Sequence, residues 1–300
     1  MWLISTYDLE LQGFLGDSTP RYAILSHTWE TDEVSYHQWR NRDDSIRKKA
    51  GALKIEAASR KAREDGLDWL WVDTNCIDKS SSSELSEAIN SMFAWYRDST
   101  VCYAYLQDIP SAQGDRSDCL SAFKKSRWFT RGWTLQELLA PTTMIFYARD
   151  WSVIGTGQSL QQIIHEATGI DLMYLHGKYL REVQRPSVAK IMSWVARRRT
   201  TRPEDIAYCT LGLFDVNMPL LYGEGSKAFI RLQHEIIRFS SDHTIFCWTW
   251  NNNVPDNWTS MLAPSPDVYL ESGDVEQTSA FSDIKPYSMT NLGLSIELPV

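Results

Sequence analysis

Four short apolar runs, at residues 22–25, 69–72, 101–106 and 143–147, constrain this chain more than any other feature. Each has the length and composition of a buried strand, and helical stretches separate them. Between the second and third runs, Leu85, Ala88, Ile89, Met92, Phe93 and Tyr96 fall at i, i+3, i+4, i+7, i+8 and i+11, the apolar face of a helix over 84–96. Ser81 and Glu84 have the spacing of a capping box before it. A second helix is expected over 46–64, with Ile46, Ala50, Leu53 and Ala57 as its stripe and Gly66 in the left-handed position beyond its end. Strand and helix alternating in this way predict an α/β fold, a parallel sheet with crossover helices. Ligands of such sheets lie beyond the carboxyl ends of the strands, so the polar residues that follow the runs are expected to share one edge.

Three polar segments meet that description. Ser26-His27-Thr28-Trp29 follows the first run, and Asp73-Thr74-Asn75-Cys76-Ile77-Asp78 follows the second. The third, Arg131-Gly132-Trp133-Thr134-Leu135-Gln136-Glu137-Leu138-Leu139, places one carboxylate in an otherwise apolar short helix that Pro141 stops. A carboxylate near an interior is costly unless paired or put to use, which makes Glu137 the residue to explain. Two readings stand open: a functional carboxylate, or an ion pair with Arg131. His27, Asp73 and Glu137 are expected around one cleft. Cys76, His27 and Asp73 also have the chemistry of a nucleophile, its base and an orienting acid, against the alternative of a small buried thiol beside a hydrogen-bonded histidine.

The three segments, taken with Tyr22-Ala23-Ile24-Leu25 before the first, Trp71-Val72 before the second and Ser126-Arg127-Trp128-Phe129-Thr130 before the third, resemble in order the signature blocks of the fungal heterokaryon-incompatibility (HET) domain. Similarity continues through Ile154-Gly155-Thr156, Thr201-Arg202-Pro203-Glu204-Asp205 and Asn217-Met218-Pro219 to Tyr222-Gly223-Glu224-Gly225. Glu30, where relatives often carry glycine, and Asn75, where many carry a second cysteine, depart from the pattern. The resemblance implies a domain that triggers cell death when genetically different fungal cells fuse, switched on by a sensor domain or protein. HET domains in turn look like distant relatives of the Toll/interleukin-receptor (TIR) fold, which implies a TIR-like, flavodoxin-like sheet. The block around Glu137 is similar to the tryptophan-containing helix that carries the catalytic glutamate of TIR-type NAD-cleaving enzymes.

That likeness implies a chemistry one carboxylate can run. Nicotinamide leaves NAD as a neutral molecule, so its departure needs no proton donor. An ionised Glu137 would hold ribose hydroxyls and stabilise the oxocarbenium-like charge at the anomeric carbon. Trp29 or Trp133 would offer a ring face to a base, unless both are core residues, and Arg131 a fork to a phosphate. With Ser26, His27, Asp73 and Cys76 they make up the expected substrate-binding set, with NAD as substrate and no cofactor or metal. TIR-like enzymes generally need neighbouring copies, so self-association is expected too. The alternative class is a non-enzymatic death-signalling module that works by self-assembly and partner recruitment.

Composition narrows the rest. A net charge of −8 leaves no broad basic face, and Arg197-Arg198-Arg199 fits the end of a helix over 188–196 better than a nucleic-acid site. The five cysteines form no CxxC pair, which argues for a reducing compartment and against zinc. No apolar run reaches the ~20 residues that span a bilayer, and the expectation is a soluble, cytoplasmic protein. Gly223-Glu224-Gly225-Ser226-Lys227 lacks P-loop spacing and reads as a turn before a helix over 226–240 with Phe229, Leu232, Ile236 and Phe239 inward. Asn257-Trp258-Thr259 matches a glycosylation sequon and is expected to be inert. The polar stretch 111–118 is expected as a surface loop able to act as a lid. Three regions are expected: a HET (TIR-like) domain at 1–157, a helical extension packed on it at 158–242, and a β-rich segment at 243–300, with strands at 244–250 and 292–300, the last lacking a partner in view and suggesting a truncated chain.

Overall fold

The computed structural model describes residues 1–41, 44–46, 48–175, 185–276, 287–290 and 293–296. The chain forms two compact units, one of Met1–Phe129 with Glu137–Arg181 and the other of Thr130–Gln136 with Glu182–Val300.

The first unit is built on a seven-stranded sheet. In chain order its strands are β1 (Trp2–Ser5), β2 (Leu11–Gly13), β3 (Ala23–His27), β4 (Trp69–Val72), β5 (Val101–Leu106), β6 (Met144–Ala148) and β7 (Val153–Thr156), arranged in space as β2-β1-β4-β3-β5-β6-β7. The four expected apolar runs form the middle, where β4, β3, β5 and β6 are parallel neighbours. The sheet as a whole is mixed rather than parallel, because β2, β1 and β7 add antiparallel strands at its two sides. Trp2-Leu3-Ile4 is too short to announce itself as a strand, yet it buries Leu3 and Ile4 completely once β4 lies beside it.

Helices α1 (Tyr36–Arg40), α2 (Ala50–Glu64) and α3 (Ser82–Asp98) fill the first two crossovers. The α3 face lies where the spacing places it, with Ala88, Ile89, Met92, Phe93 and Tyr96 buried. Ser81 accepts from the Glu84 amide, but the Glu84 carboxylate turns to the Asp78 amide, so the box does not close. On α2 the stripe is displaced: Gly51, Ile55, Ala58 and Ala62 are buried while Leu53 is half exposed. The helix begins at Ala50, not Ile46, and its small residues face inward because its first turn is pressed against the chain at 32–34. A Cβ on Gly51 would stand 2.8 Å from the Asp32 carbonyl oxygen, so only glycine fits. Gly66 is left-handed at φ 71°, as expected.

The stretch 111–118 is not a free loop. Asp115 accepts from the amides of Ser117 and Asp118 and starts α4 (Arg116–Lys124), whose Arg116 donates to the Ile154 carbonyl. Helix α6 (Gly157–Thr168) packs on α4, β6 and β7, so residues assigned above to the extension lie in the sheet unit.

The second unit contains α7 (Val188–Ala196), α8 (Asp205–Tyr208), α9 (Leu211–Phe214) and α10 (Lys227–Phe239). Arg198 and Arg199 donate to the carbonyls of Trp194 and Ala196, closing α7 as expected. Glu204 accepts from the amides of Gly223 and Gly225 and so fixes the turn before α10. Phe229, Leu232 and Ile236 point inward there, but Phe239 at the last turn is exposed, since the helix ends before the core does. Residues 244–250 are not a strand. Asp242 accepts from the Thr244 amide and the chain coils into a 3-10 turn, His243–Phe246, under α7. Near the end, β8 (Ser288–Thr290) and β9 (Gly293–Ser295) pair antiparallel, which supplies the partner the sequence left out of view. Residues 292 and 297–300 of that expected strand lie outside the described residues. Among the described residues no helix is long and apolar enough to cross a membrane.

Candidate functional site

The middle strands run parallel in the spatial order β4-β3-β5-β6. Successive crossovers leave β3 toward opposite sides, so the carboxyl ends of β3 and β5 border the crevice where α/β sheets hold ligands. Ser26 and His27 close β3 at that crevice. Successive strand residues face opposite sides of a sheet, and two adjoining clusters result.

On one side, Ser26 donates its hydroxyl to the Glu137 carboxylate and accepts from the Trp128 indole at 2.9 Å. The Tyr96 hydroxyl donates to the Leu25 carbonyl at 3.2 Å and lies within electrostatic reach of Glu137. Burial, and then the Glu137 charge, push the Tyr96 phenol and the Cys102 thiol well above their ordinary ranges, so both stay neutral. Trp128 is wholly buried among Phe123, Phe129 and Phe146. Asp108, just past β5, fastens the turn that delivers it by accepting from Ser126 Oγ and the Arg127 amide, each at 2.8 Å. Glu137 itself is buried, at 6% exposure.

On the other side, His27 Nε2 lies 3.7 Å from Glu33 Oε2 and 3.8 Å from Asp73 Oδ1. The second oxygen of each acid is tied off. Glu33 Oε1 takes Lys54 Nζ at 2.5 Å and the Glu30 amide at 3.0 Å, and Asp73 Oδ2 takes the Trp29 indole at 2.7 Å. Burial pushes the Glu33 carboxyl up, but His27 and Lys54 more than reverse it, to about 2. Burial also lowers Lys54, partly offset by Glu33. Trp29 is half exposed, with the Lys79 ammonium 3.7 Å from its ring centre.

His27, Asp73 and Glu137 therefore share the edge, but in two clusters rather than one cleft. Cys76 sits in neither. It accepts from the Val72 amide, burial pushes its thiol up to about 12, and it lines a separate cavity of about 500 Å³ with Trp2, Phe14 and Trp95. A thiol held neutral by burial is a poor nucleophile, which favours the small buried thiol. Arg131 and Trp133 belong to the second unit and bond within it: Arg131 donates to Thr201, and Trp133 hydrogen-bonds to Asp205. Burial raises the Asp205 carboxyl above its usual range despite that bond. Among the described residues no group of three or more His, Cys, Asp or Glu side chains could hold a metal ion.

Glu33, Lys54, Tyr96 and Trp128 escaped the sequence reading. Tyr96 was assigned only to an apolar helix face, and Trp128 lies inside the third block beside the tryptophan that was singled out. Glu33 and Lys54 carry no local signal.

Residues 22–118 match the family described as Heterokaryon incompatibility protein (HET). The chain is 50% identical over 223 residues to the vegetative incompatibility protein HET-E-1 of Podospora anserina, an overlap that makes up 72% of this chain and 16% of that protein. It thus spans well under two thirds of the relative's length. No solved structure matches. The family match contains the whole His27 cluster and Ser26, and ends before Trp128 and Glu137.

Proposed function

We propose that this chain, whose residues 22–118 match the heterokaryon incompatibility family, is a cell-death effector of vegetative incompatibility and that it hydrolyses NAD at the nicotinamide–ribose bond. One observation carries the enzymatic part: a buried carboxylate, Glu137, oriented by the Ser26 hydroxyl beside the ends of β3 and β5. The chain order of the middle strands, second, first, third, fourth, is also that of flavodoxin-like sheets, and it supports the TIR-like reading.

In this mechanism the C–N bond breaks with its electron pair leaving on nicotinamide, and positive charge spreads over the ribose ring oxygen and anomeric carbon. Glu137 stabilises that charge. Water attacks the anomeric carbon and releases a proton, giving ADP-ribose and nicotinamide. Trp128 sets Ser26, and Ser26 sets Glu137, so the carboxylate is held before substrate arrives. Ser26, on the Glu137 side of β3, and His27, Trp29 and Asp73, on its other side, would bound the substrate at this edge. NAD is the substrate and no cofactor is required. A sensor domain and further copies of the chain are the partners this role calls for, in the cytoplasm.

A second reading is favoured by a specific observation: Glu137 is buried and already engaged by the Ser26 hydroxyl. In a non-enzymatic signalling module it would simply hold the fold. Incubating the purified chain with NAD and measuring released nicotinamide separates the two. Glu137→Gln keeps shape and most hydrogen bonding, so the enzymatic reading expects a folded protein whose rate falls by roughly 10²–10³-fold, the cost of losing one electrostatic stabiliser. A Glu137→Gln protein that stays folded and still kills cells would sink the enzymatic reading.

A further inference from the structure

Four buried polar atoms meet in one small volume without a hydrogen-bond partner: His27 Nδ1 and Nε2, Glu33 Oε2 and Asp73 Oδ1. The gaps of 3.7 and 3.8 Å from Nε2 to the two acids are too long for hydrogen bonds. Leaving such groups unsatisfied is costly, and natural structures tolerate it chiefly where something else binds. The arrangement is also rigid. Lys54 and the Glu30 amide fix Glu33, the Trp29 indole fixes Asp73, and the helix bearing Lys54 is locked by the Gly51 contact. Each acid thus keeps one oxygen occupied by the protein and turns the other toward His27.

We propose that Glu33 and Asp73, with His27 beside them, form a receptor for the vicinal diol of a ribonucleoside, each free carboxylate oxygen accepting from one ribose hydroxyl while the base lies against the indole of Trp29. Two acceptors that both face one imidazole nitrogen call for two donors on one rigid group, and carboxylates hold ribose hydroxyls in dinucleotide-binding folds. A cationic ligand is less well matched, because the Lys54 ammonium already pairs with Glu33 and the Lys79 ammonium, over the Trp29 ring, feels the charge of Asp73. Trp29 is half exposed and aromatic faces stack on any base. The inference rests on the reading of this edge as a nucleotide site and adds that its diol is held here, away from the Glu137 side of β3. It does not depend on any bond being cleaved.

The test is binding of adenosine and of 2′,3′-dideoxyadenosine to the full chain, followed by ligand-observed NMR; neither contains a nicotinamide bond. Adenosine should bind, and the dideoxy compound should bind at least about tenfold more weakly, as expected for losing two charge-assisted hydrogen bonds. Glu33→Gln and Asp73→Asn should each weaken adenosine but not dideoxyadenosine. Equal affinity for the two nucleosides, or binding of neither by the wild-type chain, overturns the proposal and leaves ordered water as the occupant, without bearing on nicotinamide release. Adenosine binding that is lost in Glu137→Gln and kept in Glu33→Gln overturns it as well, by placing the diol on the other side of the strand. Because the ligand comparison uses wild-type protein, a variant that fails to fold does not remove the test.

Discussion

His27 and Lys54 decide the charge of Glu33, and that charge has consequences for both stability and binding. Its folded pKa of about 2 lies below the ordinary carboxylate value. A depressed carboxylate stabilises the native state above its unfolded pKa and loses that contribution as pH falls through the folded value. Urea midpoints measured from neutral pH downward should therefore drop between about pH 4.5 and 2, and the Glu33→Gln, Lys54→Met double variant should show a shallower fall in that window. Parallel profiles would show that Glu33 is not coupled to folding. Lys54→Met alone should be worse than the double variant, because it strands a largely buried carboxylate. Breaking such a pair from one side typically costs about 3–5 kcal/mol. Chemical unfolding of the three proteins at neutral pH checks the order, and a Lys54→Met protein as stable as wild type would contradict it.

Among the elements, the third signature block shows why a motif is more than its most reactive residue. Arg131 and Gly132 pair with the chain at Arg199, through Gly132 N to Arg199 O at 2.9 Å and Arg199 N to Thr130 O at 2.7 Å. A Cβ on Gly132 would meet Thr200 Cγ2 at 2.5 Å and Cys209 Sγ at 3.0 Å. Gly132→Ala should therefore cost about 1–3 kcal/mol, the range for overpacking, and lower the thermal midpoint; an unchanged midpoint would mean that the pairing yields freely. The block also explains what was legible. Residues 134–139 do form the short helix α5 (Thr134–Leu139), and the polar residues after β3 and β4 do lie at one edge, because alternation of apolar runs and helices dictates both. The α2 face was misjudged because one large residue, Leu53, outweighed the small ones that pack. Strand β1 and the turn at 243–246 were missed because neighbours decide them, β4 in one case and Asp242 in the other. At the site, Ser26, His27, Trp29, Asp73 and Glu137 stood out as polar groups beside apolar runs. Glu33 and Lys54 are partners only in space, 21 residues apart, and no periodicity links them.

For the whole molecule the proposed role turns on control, since a constitutive NAD hydrolase would kill its own cell. The chain corresponds to only 16% of the HET-E-1 protein it resembles, which leaves that protein ample sequence for a separate controlling part. Control by clustering is the simplest arrangement under the proposed TIR-like reading, in which neighbouring copies shape the site. If clustering completes or tightens the site, nicotinamide release per molecule should rise with protein concentration and rise further when the chain is fused to an oligomerising domain. Glu137→Gln should abolish both increments, while a mass measurement such as sedimentation should show the fused chain assembled in either case. Specific activity that stays flat over a wide concentration range, with and without the fused oligomeriser, would count against clustering and direct attention to a conformational trigger within one chain. An increase in cell killing on oligomerisation that survives Glu137→Gln would instead favour recruitment of a partner by the assembled domain, with the carboxylate serving only to hold Ser26 in place.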